Sequence, residues 1–550
     1  MKKSNIILGS LAGLIGLVGL SGCNDFLNTH PQGTNSSDQY FANDYQAVEA
    51  LDGIYAFYHQ EDCFGREFFW EQGAACDVVW GKNRSYNTLA TLKYTGDESP
   101  LRDVWEYMQM CIQRSNWIIS ELLGKEKEQK LTPIENRVLG EAYFLRGFIH
   151  FYTAYRYGTD KQGVPFTRWE DYEGGYDNSI PEQRASVMEN YKLIIEDMDE
   201  AIKRLPRYET YNAADRGRAH QAAAVGYKAK VYAYWAAWDA SKWSDVIAMV
   251  NELESKYDRG LADSFSDLFS SDFSKFWSRE YLWTIPSNGG SSGGGTEFPG
   301  VILENKGWGV YNGWGQNKPS LDIYEEMLKD GKGNERLTRS ILEYGQEFPF
   351  FGEKRKFYSQ SDLESGFQIN KYMEPFGHKD ASQEGLVHTN GNFPCARINF
   401  PLLRFADCLL LRAEAYLMTG NAAKATEDIN RVRVRSHLDP IKGTATTANL
   451  YHERRCELAF EFSDHLYDLK RWHLSGDATL KELAAKELNS HPRVRVYENR
   501  SNPDSSFTIE PYNDYKDKAQ YQDYMIAFPY PSDVITNSNG KLKQNIGYAK

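Results

Sequence analysis

Three glutamates at helical spacing, Glu453, Glu457 and Glu461, are the side chains of this sequence best placed for acid–base chemistry. Cleaving a glycosidic bond needs two carboxyl groups a fixed distance apart, one protonated and one ionised. Here the three share an apolar segment with Arg454 and Arg455, so structural ion pairing is the expected role. The same holds for Arg137, Glu141 and Arg146, and for Arg404, Asp407, Arg412 and Glu414. His452-Glu453-Arg454-Arg455-Cys456 has a cysteine where the zinc motif H-E-x-x-H needs its second histidine, and its arginines disfavour a cation. Gly289-Gly290-Ser291-Ser292-Gly293 matches G-x-S-x-G in letters, but it lies in a Gly/Ser run with no strong helix after it. No phosphate-binding P-loop occurs. These motifs assign no catalytic residue, metal ligand or cofactor.

Ligand capture is a better fit to two other clusters. Residues 77–87 hold Trp80, Asn83, Arg84 and Tyr86 in a stretch that reads as poorly helical. Residues 308–317 hold Trp308, Tyr311, Asn312 and Trp314 among glycines. A flat ring complements the C–H face of a sugar, while amides and a guanidinium bond to hydroxyls, and glycine lets backbone approach closely. The plainer alternative is that these rings fill small cores under long loops. Trp277, Tyr281 and Trp283 read as core, because 281–285 has the pattern of a buried strand.

Those clusters need elements to position them, and helical periodicity dominates. Helices are expected at residues 44–58, 100–123, about 133–157, 184–205, 218–238 and 242–257. Thr132-Pro133-Ile134-Glu135 supplies an N-cap, a proline at the first helical position and an acid at the third. Further helices are expected at 402–418, 422–436 and continuously over about 448–472. Alanine and glycine alternate with large aromatics, as in Ala224-Val225-Gly226-Tyr227, which suits stacked helical pairs of the tetratricopeptide kind. The reading is therefore mostly α. It combines a helical-repeat scaffold over 44–264 and 400–475, a loop-rich ligand region with short strands over 265–399, and an irregular segment over 476–550.

The N-terminus adds an address. Lys2 and Lys3 precede a short apolar run, and Leu20-Ser21-Gly22-Cys23 resembles a bacterial lipobox. Residues 1–22 are expected to be a lipoprotein signal peptide, Cys23 the lipidated residue, and 23–43 a tether. Acyl chains would anchor the chain without spanning the bilayer, and no later segment is long and apolar enough to span it. The net charge of −13 argues against nucleic acid as a partner. The aromatic content is high, with 36 Tyr, 28 Phe and 13 Trp. An extracytoplasmic location permits disulfides, and Cys63 and Cys76 are near enough in sequence to pair. Cys408 and Cys456 read as buried small hydrophobes.

Several stretches together resemble the SusD/RagB family of outer-membrane nutrient-binding lipoproteins. They are residues 137–146 with Tyr155-Arg156-Tyr157-Gly158 and Gly163-Val164-Pro165-Phe166. Next come 403–407 with 409–415 and 429–433, then 453–461 with 467–472. Phe528-Pro529-Tyr530-Pro531 and 544–548 follow, and Cys23, Phe26, Leu27 and Pro31 agree at the start. The order holds end to end. Ile546 and Ser538 depart from the family pattern and bear on the local C-terminal turn. The resemblance implies tetratricopeptide-like pairs under a variable loop region, and a SusC-like TonB-dependent outer-membrane transporter as partner. It also implies an oligosaccharide ligand captured at the cell surface, with contacts from the two broad regions above. A peptide or other non-sugar nutrient on the same scaffold, a glycoside hydrolase, and a weakly binding gate for the transporter are the alternatives.

Overall fold

The computed structural model describes residues 41–58, 60, 63–64, 71–80, 84–172, 183–270, 272, 274–286, 317–350, 353–357, 365–373, 389–390, 393–394, 398–462, 464–502 and 504–548. The signal-peptide and lipidation readings, including Cys23, fall outside these residues.

Helix α1 (Asp44–Tyr58) packs on α2 (Ser99–Glu128) and α3 (Pro133–Tyr157). Helices α4 (Val187–Arg204), α5 (Gln221–Trp235) and α6 (Trp243–Lys256) follow, each against its predecessor. The stack then continues with residues far along the chain, since α7 (Phe405–Met418) lies on both α5 and α6 and α8 (Ala422–Arg435) lies on α7. The scaffold is thus continuous in space and interrupted in sequence. Helices α9 (Thr447–Glu457), α10 (Asp464–His473) and α11 (Ala478–Asn489) close it.

Local chemistry accounts for the boundaries. Thr132 Oγ1 accepts from Glu135 N at 3.1 Å and Glu135 Oε2 accepts from Thr132 N at 2.9 Å, a reciprocal cap for the start of α3. Helix α3 is buried from Val138 to Tyr157, so its charged residues are all paired within the protein: Glu141 with Arg137, Arg146 with Asp197, and Arg156 with Glu71. Close approach uses glycine, at Gly140 against the end of the neighbouring helix and at Gly226 against strands rather than the next helix. A Cβ on Gly140 would lie 2.8 Å from Arg204 Cβ, and one on Gly226 would lie 2.9 Å from Leu282 Cδ1. Helix α4 begins at Val187, later than expected, because the Ser186 side chain accepts from Glu189 N and so caps it there.

Four expectations are corrected. Residues 402–404 are not helix but belong to strand β6 (Phe400–Arg404), which pairs antiparallel with β2 (Tyr281–Ile285). The supposed single helix over 448–472 is broken: α9 ends at Glu457, and Phe460 and Phe462 take positive φ of 63° and 35°. Glu461 therefore sits past the helix, not on one face with Glu453 and Glu457. The segment 476–550 is more regular than expected, with α11 and a hairpin of β7 (Arg493–Tyr497) and β8 (Phe507–Pro511). Trp277 is half-exposed, whereas Tyr281 and Trp283 are buried as expected.

The C-terminal residues close onto α3. Phe528 N donates to Arg156 O at 2.6 Å, and Asn545 Nδ2 donates to Tyr157 O at 2.8 Å and to Phe528 O at 2.7 Å. The turn holding Ile546 is thus pinned through the neighbouring asparagine, and Gly547 follows with φ of 99°.

Candidate functional site

Strand β1 (Val78–Trp80) pairs antiparallel with β3 (Asn317–Pro319), with Val78 opposite Pro319, Val79 opposite Lys318 and Trp80 opposite Asn317. The ladder is anchored at one end by Ser320 N donating to Asp77 O at 2.9 Å. At its middle, Lys318 Nζ donates to Gln368 Oε1 at 2.6 Å, which ties it to β5 (Phe367–Ile369), itself paired with β4 (Ile341–Glu343). At the other end Trp80 leads to the helix Arg84–Ala90, and Asn317 is immediately preceded by the 308–316 segment. The two candidate ligand clusters therefore leave the same end of one ladder. The 77–87 stretch is not the loop expected from sequence: Trp80 is in a strand and Arg84 and Tyr86 are in a helix. Asn83, Trp308, Tyr311, Asn312 and Trp314 lie outside the described residues.

A buried ion-pair frame is built from the arginines and glutamates of the sequence motifs. Arg404 is its hub. Its Nη1 lies 2.5 Å from Glu280 and 3.0 Å from Glu457, and its Nε lies 2.7 Å from Glu461. Arg435 reaches Glu280 at 2.6 Å and also pairs with Glu457; Lys371 reaches Glu461 at 2.7 Å; Arg336 reaches Glu453 at 2.5 Å. Burial alone would raise the Glu457 carboxyl, but Arg435, Arg404 and Arg336 hold it down at about 2. A carboxyl so acidified has no proton to donate near neutrality, so Glu457 has the electrostatics of a scaffold ion and not of a general acid.

His452 lies 2.6 Å from Glu326 and 3.0 Å from Asp330, with Cys456 Sγ 3.8 Å from its Nδ1. Burial opposes its charge, but Cys456, Asp330 and Glu326 raise its pKa well above the ordinary value. In the motif that half-resembles a zinc site, the imidazole is therefore paired with carboxylates of another segment. Asp77, His465 and Glu487 bring three potential ligand atoms within 4.8 Å of one another. Sequence spacing does not announce this group, because Asp77 lies about four hundred positions before His465 and Glu487. Arg455 occupies the space between the carboxylates, 2.5 Å from Asp77 and 3.5 Å from Glu487. Burial works against a charged His465, and Glu487 and Asp77 overcome it, raising the imidazole. Arg455 and His465 thus both face the Asp77 and Glu487 carboxylates.

A cavity of about 560 Å³ lies next to this group, lined by Cys76, Glu326, His452, Arg455, Glu487 and Arg493 among others. It adjoins the end of the β1–β3 ladder opposite Trp80. Cys76 and Cys63 are buried and are not joined to each other, against the pairing considered from sequence, and burial pushes the Cys76 thiol up. Cys408 and Cys456 are buried, as expected.

Two family models match this chain along most of its length. One, described as the SusD family, matches residues 279–548, and one described as starch-binding associating with outer membrane matches residues 25–233. The chain belongs to the SusD/RagB family. A SusD-like protein, P38, from Formosa agariphila is 24% identical over 495 residues, covering 84% of this chain and 90% of that protein. Among solved structures, a SusD-like protein from Bacteroides fragilis superposes with a TM-score of 0.73 at 18% identity, covering 93% of this chain and 99% of the other. A laminarin-binding SusD-like protein superposes with a TM-score of 0.66 at 20% identity, covering 92% and 100%. The SusD-like fold of this chain, with helical pairs interrupted by a strand-bearing region, is the fold of these neighbours.

Proposed function

We propose that this protein captures oligosaccharide at the cell surface and passes it to a SusC-like TonB-dependent transporter, and that it does so by binding without catalysis. The observation that carries the reading is the Trp80–Asn317 pairing at one end of the β1–β3 ladder. It pairs the last strand residue of one segment with Asn317, the final residue of the other, and the rings, amides and guanidinium of the two segments suit a sugar. The laminarin-binding neighbour of the same fold adds support from a relative. The ligand contacts proposed are Trp80, Asn83, Arg84 and Tyr86 from one segment and Trp308, Tyr311, Asn312 and Trp314 from the other. Lipid on Cys23 holds the chain at the outer membrane, with residues 23–43 as tether. Among the described residues no helix is long and apolar enough to cross a membrane.

The test is a glycan-array screen of the protein, with hits confirmed by calorimetry and repeated on folded Trp80→Ala and Trp314→Ala variants. Saturable binding without breakdown products, weakened in either variant, is expected. Absence of binding to every glycan refutes the sugar reading and redirects the search to peptides. Co-purification of a TonB-dependent transporter from detergent-solubilised outer membranes tests the partner.

A further inference from the structure

Tyr45, in the first turn of α1, is 71% exposed, more than any other large hydrophobic side chain among the described residues. It stands where three helices meet. The neighbouring Asp44 accepts from Thr132 Oγ1 at 2.5 Å, which brings the start of α1 to the start of α3, where Ile134 is exposed as well. Phe41 and Trp117 of α2 are half-buried at this junction with ring centres 5.1 Å apart, and Lys125 Nζ donates to Phe41 O at 3.1 Å. Met110, also exposed, lies two helical turns before Trp117 on the same face of α2. Singly exposed apolar residues are ordinary, but a rim of them around two half-buried rings forms a surface.

The charges at this corner cancel. Lys125 pairs with Glu135, and Glu126 pairs with Arg204 at 3.0 Å. The other exposed charges around the α2–α3 turn are Lys127 and Lys130 against Glu121 and Glu128, although the whole chain carries −13. The described residues begin here, at Phe41, eighteen positions after Cys23. Fully extended, that length reaches about 60 Å. Acyl chains on Cys23 would therefore hold the protein near the bilayer and leave it free to turn. The corner from which the tether leaves is the part held closest to the lipid.

We propose that this corner rests on the lipid surface of the outer membrane, with Tyr45 and Ile134 at headgroup depth, and that the contact decides which side of the protein faces the membrane. The proposal rests on the lipid-anchor reading of Cys23. Side chains with an apolar body and a polar tip favour the headgroup boundary. The anchor already supplies proximity, so a contact too weak to hold a free protein suffices to orient a tethered one. Because the local charges balance, the contact is apolar, needs no anionic lipid and is insensitive to salt.

The test uses the full-length acylated chain reconstituted with phosphatidylcholine vesicles. An environment-sensitive dye is attached at Tyr45→Cys or at Ile134→Cys in a Cys395→Ser background, where Cys63, Cys76, Cys111, Cys408 and Cys456 are buried. Val434→Cys, exposed on α8, is the control. Both corner dyes are expected to shift to the blue and to be quenched by nitroxide lipids, at low and at high salt, while the control is not. A Cys23→Ser chain, without acyl groups, should still associate weakly with the vesicles. Adding Tyr45→Glu should lower that partition about tenfold, the worth of roughly 55 Å² of ring surface returned to water. If the acylated chain does not float with the vesicles, the anchor reading and this contact both fall. If it floats but neither dye departs from the control, or if Tyr45→Glu leaves the partition unaltered, the anchor stands and the contact is overturned. If the dyes shift only when a TonB-dependent transporter is reconstituted alongside, the corner is a protein interface and the lipid contact is again overturned.

Discussion

Replacing Lys470 by methionine should make this protein more stable, although a charged residue is removed. Lys470 lies on α10, 1% exposed, with its Nζ 4.0 Å from the centre of the Phe528 ring and without a hydrogen-bond partner. The nearest carboxylate, Glu71, is already held by Arg156 at 3.0 Å and by the Tyr467 hydroxyl at 2.8 Å. Burial is the main cause of a fall in the amine's pKa from 10.5 to about 7, with Glu71 resisting and Arg156 assisting. The unfolded chain carries a full proton there at neutral pH. The native state must give it up or bury it, which corresponds to about 4–5 kcal/mol as an upper bound. Contact with the Phe528 face returns about 1–2 kcal/mol of this. Methionine has similar length and no charge, so a net gain of about 2–3 kcal/mol at pH 7 is expected. Because the native pKa is the lower one, the unfolded state binds more protons between pH 7 and 10.5. Wild-type stability should therefore rise with pH across that window, and the variant should lose this contribution. Urea unfolding at pH 7 and pH 9.5, with an unchanged m-value, measures both. A variant less stable than wild type at pH 7, or one with the same pH slope, refutes the argument.

Other perturbations follow from the frame and the helix contacts. Arg404→Met should cost about 3–5 kcal/mol in urea unfolding, since it leaves Glu280, Glu457 and Glu461 buried with fewer partners; a loss under about 1 kcal/mol would contradict the hub role. Glu457 is held at about 2, below its ordinary value, so the stability it lends is complete above pH 4.5 and fades as pH falls towards 2. Acid titration of the unfolding midpoint should show that loss, and Glu457→Gln should lower stability at pH 7 while flattening the acid limb. Gly226→Val should cost about 1–3 kcal/mol, because its side chain would press on Leu282 and Leu403; an unchanged midpoint would mean the helix and strand can separate without cost. Trp80→Ala should stay folded by circular dichroism and lose glycan affinity about tenfold or more, and retained affinity would move the site elsewhere.

The helices were legible where their ends carry their own chemistry. The Thr132-Pro133-Ile134-Glu135 cap and the Tyr157-Gly158 stop bound α3 as expected, and α1 begins and ends at the residues read from periodicity. Legibility failed where an end is set by distant partners. Residues 402–404 look helical by composition, but β2, over a hundred positions earlier, draws them into a ladder. The break after Glu457 lacks glycine and proline; Phe460 and Phe462 take left-handed backbone inside a packed core, which no local signal announces. The candidate site divides in the same way. Residue type pointed to Trp80 and to the segment that ends at Asn317, but only the β1–β3 register pairs Trp80 with Asn317.

The bonds from Phe528 and Asn545 to the last carbonyls of α3 have a consequence in time. Helix α3 is the buried centre of the scaffold, and its end is completed by residues made nearly four hundred positions later. While the chain is still being synthesised, those carbonyls have no partner, and α7 has not yet arrived to cover α5 and α6. The early helices can form locally but cannot reach their final packing, so a half-made chain exposes apolar faces that would aggregate. Such a chain reaches its final packing only after its far end has been made.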